Sequence, residues 1–593
     1  MHMPSITRRH AIFISYVLAA LVLLRYGSMS IAADGASVTN VGSKVAPFAL
    51  TATDGKKWSS KDLKDPKAVV VVFVGNECPV NNAYWNRLAE LHKAYKDKGV
   101  QFVAINANEQ DTNDSLSELV KQKSVPFPLL KDTNNIVADA FAAERTPEAF
   151  LLDGTFTIRY RGRIDDQYGV GFKRPAPTRR DLAEAIDELL DGKEISQTST
   201  PVSGCRIGRA PKPKGSAEVT YSKQVSRIMQ ERCQACHRPG QVGPMSLMTY
   251  ESARDWSSMI KEVVEDQRMP PWHADPKFGK FTNDRSLSKE ERDTLIQWIA
   301  QGCTKGDDKD LPAKKNFADG WTIGKPDEIF SMQDEFTVPA KDPGNGIKYK
   351  NFSVPTNFTE DKWIQAAECQ PGNHAVVHHI LVYMRKPGQK RGEDGIGDGL
   401  LAAYAPGDTP LVLEPGSAKL LPKGTTLVFQ MHYTPTGTEE KDKSSIGLIF
   451  AKEPPKYEVR TRAISQQLLL IPPGDATYKT QSLTTFKEDA VILSFFPHMH
   501  LRGKSFEYKI ETPDGKEETV LSVPKYDFGW QSQYRLEKPL SLPAGTRIRC
   551  TAHFDNSKDN PNNPDPTKRI HWGEQTWDEM MIGFVDYAFV REK

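Results

Sequence analysis

The sequence predicts a multidomain chain: an α/β domain, then a mainly α-helical domain, then two all-β antiparallel, jelly-roll-like sandwiches. Three observations predict this order. The length of 593 residues is that of several domains. Strand-like and helix-like segments alternate up to about residue 195, and helical spacing dominates residues 217–308. Short β runs separated by many Pro and Gly turns follow from about residue 320.

The composition is that of a globular protein without a nucleic-acid partner. Hydrophobic residues make up 38% of the chain and charged residues 26%, which is not typical of disorder. The 78 basic and 76 acidic side chains nearly cancel, so there is no electrostatic reason to expect nucleic-acid binding. Seven cysteines over this length are too few for a disulfide framework. Each cysteine therefore needs its own interpretation.

The first 33 residues have the pattern of an export signal. A pair of arginines at positions 8 and 9 precedes an apolar run over residues 11–24, and Ala32 is a small residue at the expected cleavage point. The apolar run is shorter than the about 20 residues of a membrane span, and retention as an uncleaved anchor is the alternative. We expect residues 1–33 to be a signal peptide, and the mature chain to be periplasmic or secreted, with no membrane span.

The α/β domain is expected over residues 38–200, as a βαβ unit followed by ββα. The Val-rich run 68–74 is typical of a buried parallel strand. Apolar residues between 84 and 95 recur at helical spacing, and 101–105 is a second strand. Residues 148–164 are expected to form a hairpin that turns at an Asp-Gly pair.

Cys78 lies where the first of these strands passes into the helix, in the run FVGNECPVN. A helix N-terminus lowers the pKa of a thiol, because its unpaired N–H groups stabilise the thiolate. This run, together with Thr146-Pro147 ahead of the hairpin, resembles the redoxin family. The resemblance implies a thioredoxin-like fold over the whole α/β domain, with a cis-proline facing Cys78.

The motif departs from the Cys-x-x-Cys pattern at Asn81, where a dithiol protein has its second cysteine. Without an adjacent resolving thiol, ordinary dithiol exchange cannot close within the motif. Cys78 remains a candidate catalytic residue for one-Cys peroxide or thiol chemistry, or for exchange with a distant cysteine such as Cys205. The alternative is a thioredoxin-like fold kept for binding, with an inert Cys78.

The helical domain, residues 217–308, contains the run CQACH. Cys233, Cys236 and His237 have the C-x-x-C-H spacing of c-type haem attachment. Two thiols at this spacing bond both haem vinyl groups, and the following histidine becomes an axial iron ligand. A zinc site is the other interpretation. The motif predicts covalently bound haem c in a small cytochrome c domain that carries electrons.

A second axial ligand is expected further along this domain. Met269, in the run RMPPW, supplies a thioether that would raise the reduction potential, and His273 is the competing ligand. A closing helix is expected to begin at a capping box formed by Ser288 and Glu291 and to stop at Gly302.

Most of the histidines lie in the β-rich section: eight of the 11 that follow the leader fall between positions 374 and 571. A His-x-His pair on a strand places both rings on one face, whereas an adjacent pair needs a bulge, a strand end or strong twist. Imidazole ligands suit Cu, Zn, Fe or Ni, and a thioether shifts the preference toward copper(I). The groups that predict metal sites are the pair His378 and His379, the single His432, the pair His498 and His500, and Met580 near the C-terminus.

The order of these groups resembles the copper type II, ascorbate-dependent monooxygenases, which include peptidylglycine α-hydroxylating monooxygenase and dopamine β-monooxygenase. The resemblance covers roughly residues 325–593. It implies two copper sites, one in a sandwich over 322–463 and one in a sandwich over 464–593. The family activates O2 at the second copper and takes a further electron from the first, with ascorbate as reductant. The implied ligands are His378, His379 and His432 for the first copper, and His498, His500 and Met580 for the second.

Three departures limit what the resemblance implies about the substrate. Phe496, Ile582 and Phe584 stand where the peptide-amidating enzyme has a substrate-binding Arg, Asn and Tyr. Three polar contacts have become apolar, so a peptide carboxylate is not the expected substrate. Cys550 falls where the family has a half-cystine, but the expected partner position is Met581. We therefore expect Cys550 to be a buried free thiol.

Taken together, the motifs predict an exported copper monooxygenase that uses O2 to hydroxylate a C–H bond of an unidentified small-molecule or peptide-like organic substrate. The electrons would come through the fused haem, from ascorbate or from a respiratory redox protein. Two alternatives remain open. One is a non-catalytic periplasmic electron-transfer or copper-binding protein, and the other is a thiol or peroxide oxidoreductase based on Cys78.

Overall fold

The computed structural model describes residues 40–174, 176–212, 217–317, 320–341, 347–389 and 399–590. The predicted signal peptide, residues 1–33, lies outside this described part of the chain. Among the described residues, none of the helices combines the length and the apolar character that crossing a membrane requires.

A seven-stranded sheet is the centre of the N-terminal domain. Strands β3 (Ala68–Phe73), β4 (Val100–Asn106) and β5 (Leu129–Lys131) run parallel. The hairpin of β7 (Glu148–Asp153) and β8 (Ile158–Gly162) pairs antiparallel to β3 through β7. The order across the sheet is β2-β1-β5-β4-β3-β7-β8. The elements are β1 Ala49–Ala52, β2 Lys57–Ser59, β3 Ala68–Phe73, α1 Pro79–Tyr95, β4 Val100–Asn106, α2 Asn113–Lys123, β5 Leu129–Lys131, α3 Ile136–Ala140, β6 Arg145–Thr146, β7 Glu148–Asp153, β8 Ile158–Gly162, β9 Tyr168–Gly169, β10 Phe172–Lys173 and α4 Asp181–Leu190.

The predicted βαβ-ββα order is observed, and the domain has the thioredoxin-like α/β fold. All six residues of β3 are buried, because helices cover both faces of the sheet there. Strands β1, β2 and β5 were not predicted. They are three or four residues long and lie at or near one side of the sheet, so they carry no clear period-two pattern.

The section that follows is mainly helical. Its first helix has an α-helical turn, α5 Ser226–Ile228, between π-helical turns at Tyr221–Val225 and Met229–Cys233. Helices α6 Tyr250–Asp255, α7 Ser257–Glu265 and α8 Lys289–Ala300 follow. The capping box predicted for α8 is present, with Ser288 and Glu291 each bonding the other's backbone N–H.

The remainder of the described chain is β-structure. A nine-stranded sheet has the order β12-β22-β15-β19-β23-β32-β26-β29, with β18 paired to β15, and two four-stranded sheets have the orders β14-β20-β16-β17 and β25-β30-β27-β28. The strands, after the short β11 Cys205–Arg206, are β12 Glu328–Ser331, β13 Phe336–Val338, β14 Lys350–Pro355, β15 Lys362–Gln370, β16 Val377–Arg385, β17 Leu400–Tyr404, β18 Leu411–Val412, β19 Ser417–Leu421, β20 Thr426–Tyr433, β21 Glu440–Asp442, β22 Ser445–Phe450, β23 Tyr457–Ser465, β24 Leu470–Ile471, β25 Tyr478–Thr485, β26 Ala490–His498, β27 Gly503–Glu511, β28 Glu517–Val523, β29 Tyr534–Leu542, β30 Arg547–Phe554, β31 Ile570–His571 and β32 Ile582–Val590.

Each four-stranded sheet shares a hydrophobic core with one end of the nine-stranded sheet. Ile364 and Leu448 of the large sheet pack with Ile380 and Phe429 of β16 and β20 in one core. A second core joins β26 and β32 of the large sheet to β27 and β30. The strands around the first core form one β unit, and those around the second form the C-terminal β unit. The first histidine group lies on β16 and β20 of the first unit, and His498 ends β26 of the C-terminal unit.

Candidate redox and metal sites

Cys78 is the N-cap of α1 and is almost fully buried, with 1% of its surface exposed. Its sulfur accepts the N–H of Asn81 at 3.5 Å, as expected for a thiol at a helix N-terminus. It also lies 3.0 Å from the carbonyl oxygen of Thr146. The peptide bond between Thr146 and Pro147 is cis, so the predicted cis-proline loop does face the cysteine.

A second cysteine reaches Cys78 from outside the predicted boundary of the domain. Strand β11 pairs antiparallel with β6, which sets Cys205 opposite Thr146. The N–H of Cys205 donates to the sulfur of Cys78 at 3.4 Å. The approach requires glycine at position 204, because a Cβ there would lie 2.1 Å from the carbonyl oxygen of Thr146.

The two thiols have opposite pKa shifts. Burial alone would raise the pKa of Cys78, but hydrogen bonds from the Cys205 side chain, from the N–H of Asn81 and from the N–H of Cys205 outweigh it and lower that pKa to about 7. The hydrogen bond to Cys78, together with burial, raises the pKa of Cys205 well above its ordinary value. Cys78 is therefore the more acidic thiol of the pair, and Cys205 stabilises its ionised form.

An unusual carboxyl group precedes the cysteine. Burial, and then the negative charge of Asp111, raise the pKa of Glu77 to about 7, while a hydrogen bond with Trp256 of the helical section partly offsets this. Asp111 itself accepts the N–H of Asn76 at 3.1 Å. A group that titrates near neutrality thus lies one residue from the thiolate.

The C-x-x-C-H motif lies at the end of the first helix of the helical section. The Nδ1 atom of His237 is 3.1 Å from the carbonyl oxygen of Met245, which can only accept, so Nδ1 carries the proton and Nε2 carries a free lone pair. Burial raises the pKa of both Cys233 and Cys236, for Cys233 to about 12. This donor set fits covalent haem attachment with His237 as an axial ligand.

The structure places both candidates for the second axial ligand in the segment after α7. The N–H of Met269 donates to the carbonyl of Val263 at 3.1 Å. Burial lowers the pKa of His273, which lies near Asp527 and Arg285. The choice between Met269 and His273 stays a prediction.

The first histidine group converges on one point. Nδ1 of His378 lies 3.2 Å from Nδ1 of His379 and 3.2 Å from Nδ1 of His432, and potential ligand atoms of the three residues lie within 4.8 Å of one another. Two nitrogens bound at about 2.0 Å to one tetrahedral ion would be about 3.2 Å apart. The strand register shifts between Val377 and His379, so a bulge, one of the three distortions expected for an adjacent pair, lies at this point.

Burial keeps these imidazoles neutral. It lowers the pKa of His378 to about 4 and the pKa values of His379 and His432 well below the ordinary value. The Nε2 atom of His379 is buried and has no hydrogen-bond partner among the described residues. Neutral imidazoles whose Nδ1 atoms converge fit a copper or zinc ion.

In the second histidine group, His498 and His500, both Nδ1 atoms have hydrogen-bond partners. Nδ1 of His498 lies 2.6 Å from Oε1 of Gln531, and Nδ1 of His500 lies 3.3 Å from the carbonyl oxygen of Asp578. Within the described chain, Nε2 of His500 is buried and without a hydrogen-bond partner. Held in this way, the pair presents its Nε2 atoms to a ligand, which fits a soft metal.

Met580 reaches this pair through a buried carboxylate. Oε2 of Glu579 accepts the N–H of His500 at 2.9 Å and the N–H of Met580 at 3.3 Å, while Oε1 accepts the N–H of Arg502 at 2.6 Å. Glu579 is fully buried, and that burial raises its pKa to about 7. The backbone of Met580, the residue with the predicted thioether ligand, is therefore tied to the backbone of His500 by a shared acceptor.

Two aromatic rings each lie close to both histidine groups. The ring centre of Tyr349 lies 4.9 Å from that of His432 and 6.2 Å from that of His500. Phe528 stacks on His378 at 5.1 Å and lies 5.9 Å from His500. The two groups face each other, and sequence reasoning found neither ring, because a lone Phe or Tyr in a loop carries no periodic signal.

The three apolar residues that stand where the peptide-amidating enzyme has substrate-binding side chains are packed together. Phe496 and Phe584 stack at 5.8 Å and are 7% and 2% exposed, and Ile582 is also buried. They pack with Leu381 and Tyr383 of the neighbouring unit. Apolar side chains fill this part of the contact between the two β units.

The remaining cysteines and histidines have structural surroundings. All seven cysteines are free, and Cys550 is fully buried as expected. His374 contacts the hydroxyl of Tyr404 at 3.1 Å, and His553 contacts Ser505 at 3.0 Å.

Comparisons with known proteins match the N-terminal domain. Residues 41–167 match the AhpC/TSA family. A thiol-disulfide oxidoreductase ResA of Bacillus cereus is 32% identical over 113 residues, which are 19% of this chain and 64% of that protein. The ResA of Bacillus subtilis is 30% identical over 146 residues, 25% of this chain and 80% of that protein. The chain thus spans just under two thirds of the B. cereus relative.

Solved structures also match this part of the chain. A protein from Geobacillus kaustophilus, described as uncharacterized and conserved, is 32% identical with a TM-score of 0.27, covering 30% of this chain and 96% of that one. A secreted Mycobacterium tuberculosis disulfide oxidoreductase is 21% identical with a TM-score of 0.17, covering 19% of this chain and 79% of that one.

Proposed function

Residues 41–167 belong to the AhpC/TSA family, and we propose that the chain is a Cys-based oxidoreductase that exchanges thiols and disulfides through Cys78 and Cys205. The observation that carries this proposal is the hydrogen bonding of Cys205 to the sulfur of Cys78. It supplies the second thiol that the motif lacks at Asn81. The ResA relatives, which are named as thiol-disulfide oxidoreductases, support the same chemistry for this domain.

The reaction balances with a disulfide as the oxidant. The Cys78 thiolate attacks one sulfur of a substrate disulfide, forming a mixed disulfide and releasing the other substrate sulfur as a thiolate. Cys205 then loses its proton to solvent or to a base, and its thiolate attacks the Cys78 sulfur. The substrate leaves as a dithiol after taking up protons, and Cys78 and Cys205 are joined in a disulfide. The reverse sequence oxidises a substrate dithiol.

Peptide mapping by mass spectrometry tests this exchange, with a short disulfide-bonded peptide as the probe. Wild-type protein should form a Cys78–Cys205 disulfide. Cys205→Ala should stop at the mixed disulfide with Cys78, and Cys78→Ala should not react. Cys369→Ala removes a buried free thiol elsewhere and should behave like wild type. A wild-type protein that stays reduced, or a Cys78→Ala variant that still exchanges, would contradict the proposal.

A second candidate function is copper-dependent oxygenation, which the convergence of three Nδ1 atoms at His378 favours. His378, His379 and His432 would hold one copper. The second copper would be held by His498, His500 and Met580. Bound copper would supply O2 activation and one-electron chemistry, as in the monooxygenases that the sequence resembles. Gln531 and Glu579 keep the second set oriented.

The haem motif belongs to the same candidate function. Cys233 and Cys236 would hold haem c, with His237 as its axial ligand. Haem c would supply one-electron transfer. The packed ring of Phe496 leaves no polar contact for a peptide carboxylate at its position, so we propose an apolar or small organic substrate.

Metal analysis and O2 uptake test the second candidate. We expect two coppers and one haem per chain, falling to one copper in His432→Ala and in Met580→Leu, with two retained in His553→Ala. O2 consumption coupled to a reductant and an organic substrate should stop in both single-copper variants. Two bound coppers without any O2 uptake would instead support a non-catalytic copper-binding or electron-transfer protein.

A further inference from the structure

One turn of the C-terminal β unit, residues 527–531, lies near the haem-attachment motif on one side and contacts both histidine groups on the other. The N–H of Trp530 donates to the carbonyl of Asp527 at 3.1 Å, and the Gln531 side chain donates to the carbonyl of Phe528 at 3.3 Å. The turn is therefore closed by its own hydrogen bonds. None of the chemistry assigned above uses its Trp530.

On the haem side, Trp530 lies close to Cys236. A Cβ on Gly407 would lie 3.6 Å from the Trp530 ring and 3.8 Å from the Cys236 sulfur, so the nearest ring atom and the sulfur are at most about 7.4 Å apart. Arg285, on the helical section, donates to the carbonyl of Gly407. A haem bonded through Cys236 would therefore have one edge near this tryptophan.

On the other side, the turn contacts one ring of each histidine group. Gln531 is bonded to Nδ1 of His498 at 2.6 Å. Phe528 stacks on His378 with an angle of 18° between the rings. The chain from Trp530 to the ring of His498 thus consists of one peptide unit, one side chain and one hydrogen bond.

Hydrogen bonds hold the helical section against the C-terminal β unit. Its residues 280–283 run along β29 and bond to it. The N–H of Thr282 donates to the carbonyl of Arg535 at 2.9 Å, and the N–H of Glu537 donates to the carbonyl of Lys280 at 2.8 Å. Asn283 donates to the carbonyl of Gln533 at 2.7 Å. This added edge pairing keeps Cys236 and Trp530 together.

We propose that the turn 527–531 is the internal electron route from haem at Cys236 to copper at His498, with Trp530 as its entry point. The inference rests on the second candidate function. In each transfer a bound haem would lose one electron, from ferrous to ferric, a bound copper(II) would gain it as copper(I), and the turn would be left unchanged. A one-electron reductant such as ascorbate would then reduce the haem again.

Pulse radiolysis of the full holoprotein tests this route without turnover. The pulse delivers one electron to the ferric haem, and decay of the ferrous α-band reports its passage to copper. Wild-type decay should be first-order and independent of protein concentration. We expect Trp530→Leu to slow the decay severalfold and Trp530→Phe to slow it less. Trp58→Leu, in the N-terminal domain, should leave the rate unchanged.

Haem and copper content is measured on each sample first. Protein that binds no haem or no copper would overturn the second candidate function and this inference with it. Full loading of both groups, with equal decay rates in Trp530→Leu and Trp58→Leu, would overturn the electron route alone. The copper EPR spectrum of Trp530→Leu should match wild type, because the substitution leaves every proposed copper ligand in place.

Discussion

The N–H of Cys205 donates to the sulfur of Cys78 at 3.4 Å across 127 positions of the chain. A strand pair beside the cis-proline loop makes this contact, and no Cys-x-x-Cys motif is involved. The hydrogen bonds on Cys78 outweigh the effect of its burial and lower its pKa to about 7. The second thiol thus both tunes the first and lies in position to bond with it.

The first prediction concerns the protonation of Cys78. Thiolate absorbance at 240 nm, taken as the difference between wild type and Cys78→Ala, should titrate with a midpoint near pH 7. In Cys205→Ala the midpoint should move upward, because the largest stabilising hydrogen bond is lost. Cys369→Ala should leave the midpoint unchanged. An unshifted midpoint in Cys205→Ala would show that Cys205 does not tune the thiolate.

The same pKa values give a second prediction, on the pH dependence of reduced-protein stability. The pKa of Cys78 in the folded protein lies below its unfolded value of 9.0. Its stabilisation of the folded state is therefore present above pH 9 and is lost as the pH falls through 7. Cys205, with a raised pKa, opposes this only above pH 9. Urea unfolding should show the wild-type advantage over Cys78→Ala growing by about 2 kcal/mol between pH 6 and pH 9. A constant difference would contradict the assignment.

A third prediction concerns Gly204, which lets the Cys205 strand approach the cis-proline loop. In Gly204→Ala the new Cβ would meet the backbone oxygen of Thr146, which cannot move aside cheaply. We expect a loss of about 1–3 kcal/mol in the free energy of unfolding and slower formation of the Cys78–Cys205 disulfide. Gly192→Ala is the control, since Gly192 also has a positive φ but has open space around it. Disulfide formation at the wild-type rate in Gly204→Ala would be inconsistent with this role.

The N-terminal fold could be predicted because its signals are local. The Val-rich strand β3 and the apolar spacing of α1 need only neighbouring residues, and the helix start fixes Cys78 at the N-cap. For the His-x-His pair the strand period accounts for only one member, because β26 ends at His498 and His500 lies beyond it. The bulge before His379 is one of the three distortions that the adjacent pair predicts.

The rest of the candidate site depends on contacts between distant segments. Cys205 pairs with β6 across a long stretch of chain, and nothing in its neighbours identifies that partner. Phe528 and Gln531 lie in a turn and carry no motif. Only the folded chain brings them into contact with His378 and His498. The docking of residues 280–283 along β29 is equally a tertiary event, with no motif of its own.

A fourth prediction concerns Glu262, which ties the Cys205 strand to the helical section. Its carboxylate pairs with Arg145 and Arg206 at 2.7 Å each and with Arg268 at 2.6 Å. Burial would raise its pKa, but the arginines, Arg145 first, lower it overall. The stabilisation is therefore present above the ordinary pKa of 4.5 and is lost as the pH falls below that value.

We expect Glu262→Gln to reduce the free energy of unfolding by about 2 kcal/mol at pH 7, less than for a fully buried pair because the arginines are partly exposed. The difference from wild type should shrink at pH 4 and below. Glu265→Gln, which removes an exposed carboxylate on the same helix, should change stability by less than about 0.5 kcal/mol. Chemical denaturation at both pH values measures these differences. Equal free energies of unfolding for Glu262→Gln and wild type at pH 7 would contradict the prediction.

The last prediction concerns Glu579, whose carboxylate orients the second histidine group through the backbone. It accepts three N–H groups, from His500, Arg502 and Met580, and the side chain is fully buried. Leaving a buried N–H without an acceptor costs about 1–3 kcal/mol. Glu579→Ala should therefore lower the free energy of unfolding by about 3 kcal/mol or more.

The loss should also be specific to one metal site. With the backbone at His500 and Met580 released, Glu579→Ala should retain the copper of the first histidine group and lose that of the second, giving about one copper per chain. Glu579→Gln keeps an acceptor oxygen and should fall between wild type and alanine, while the exposed Glu488→Ala should match wild type. If Glu579→Ala kept both coppers at wild-type affinity, this carboxylate would stabilise the fold without positioning the ligands.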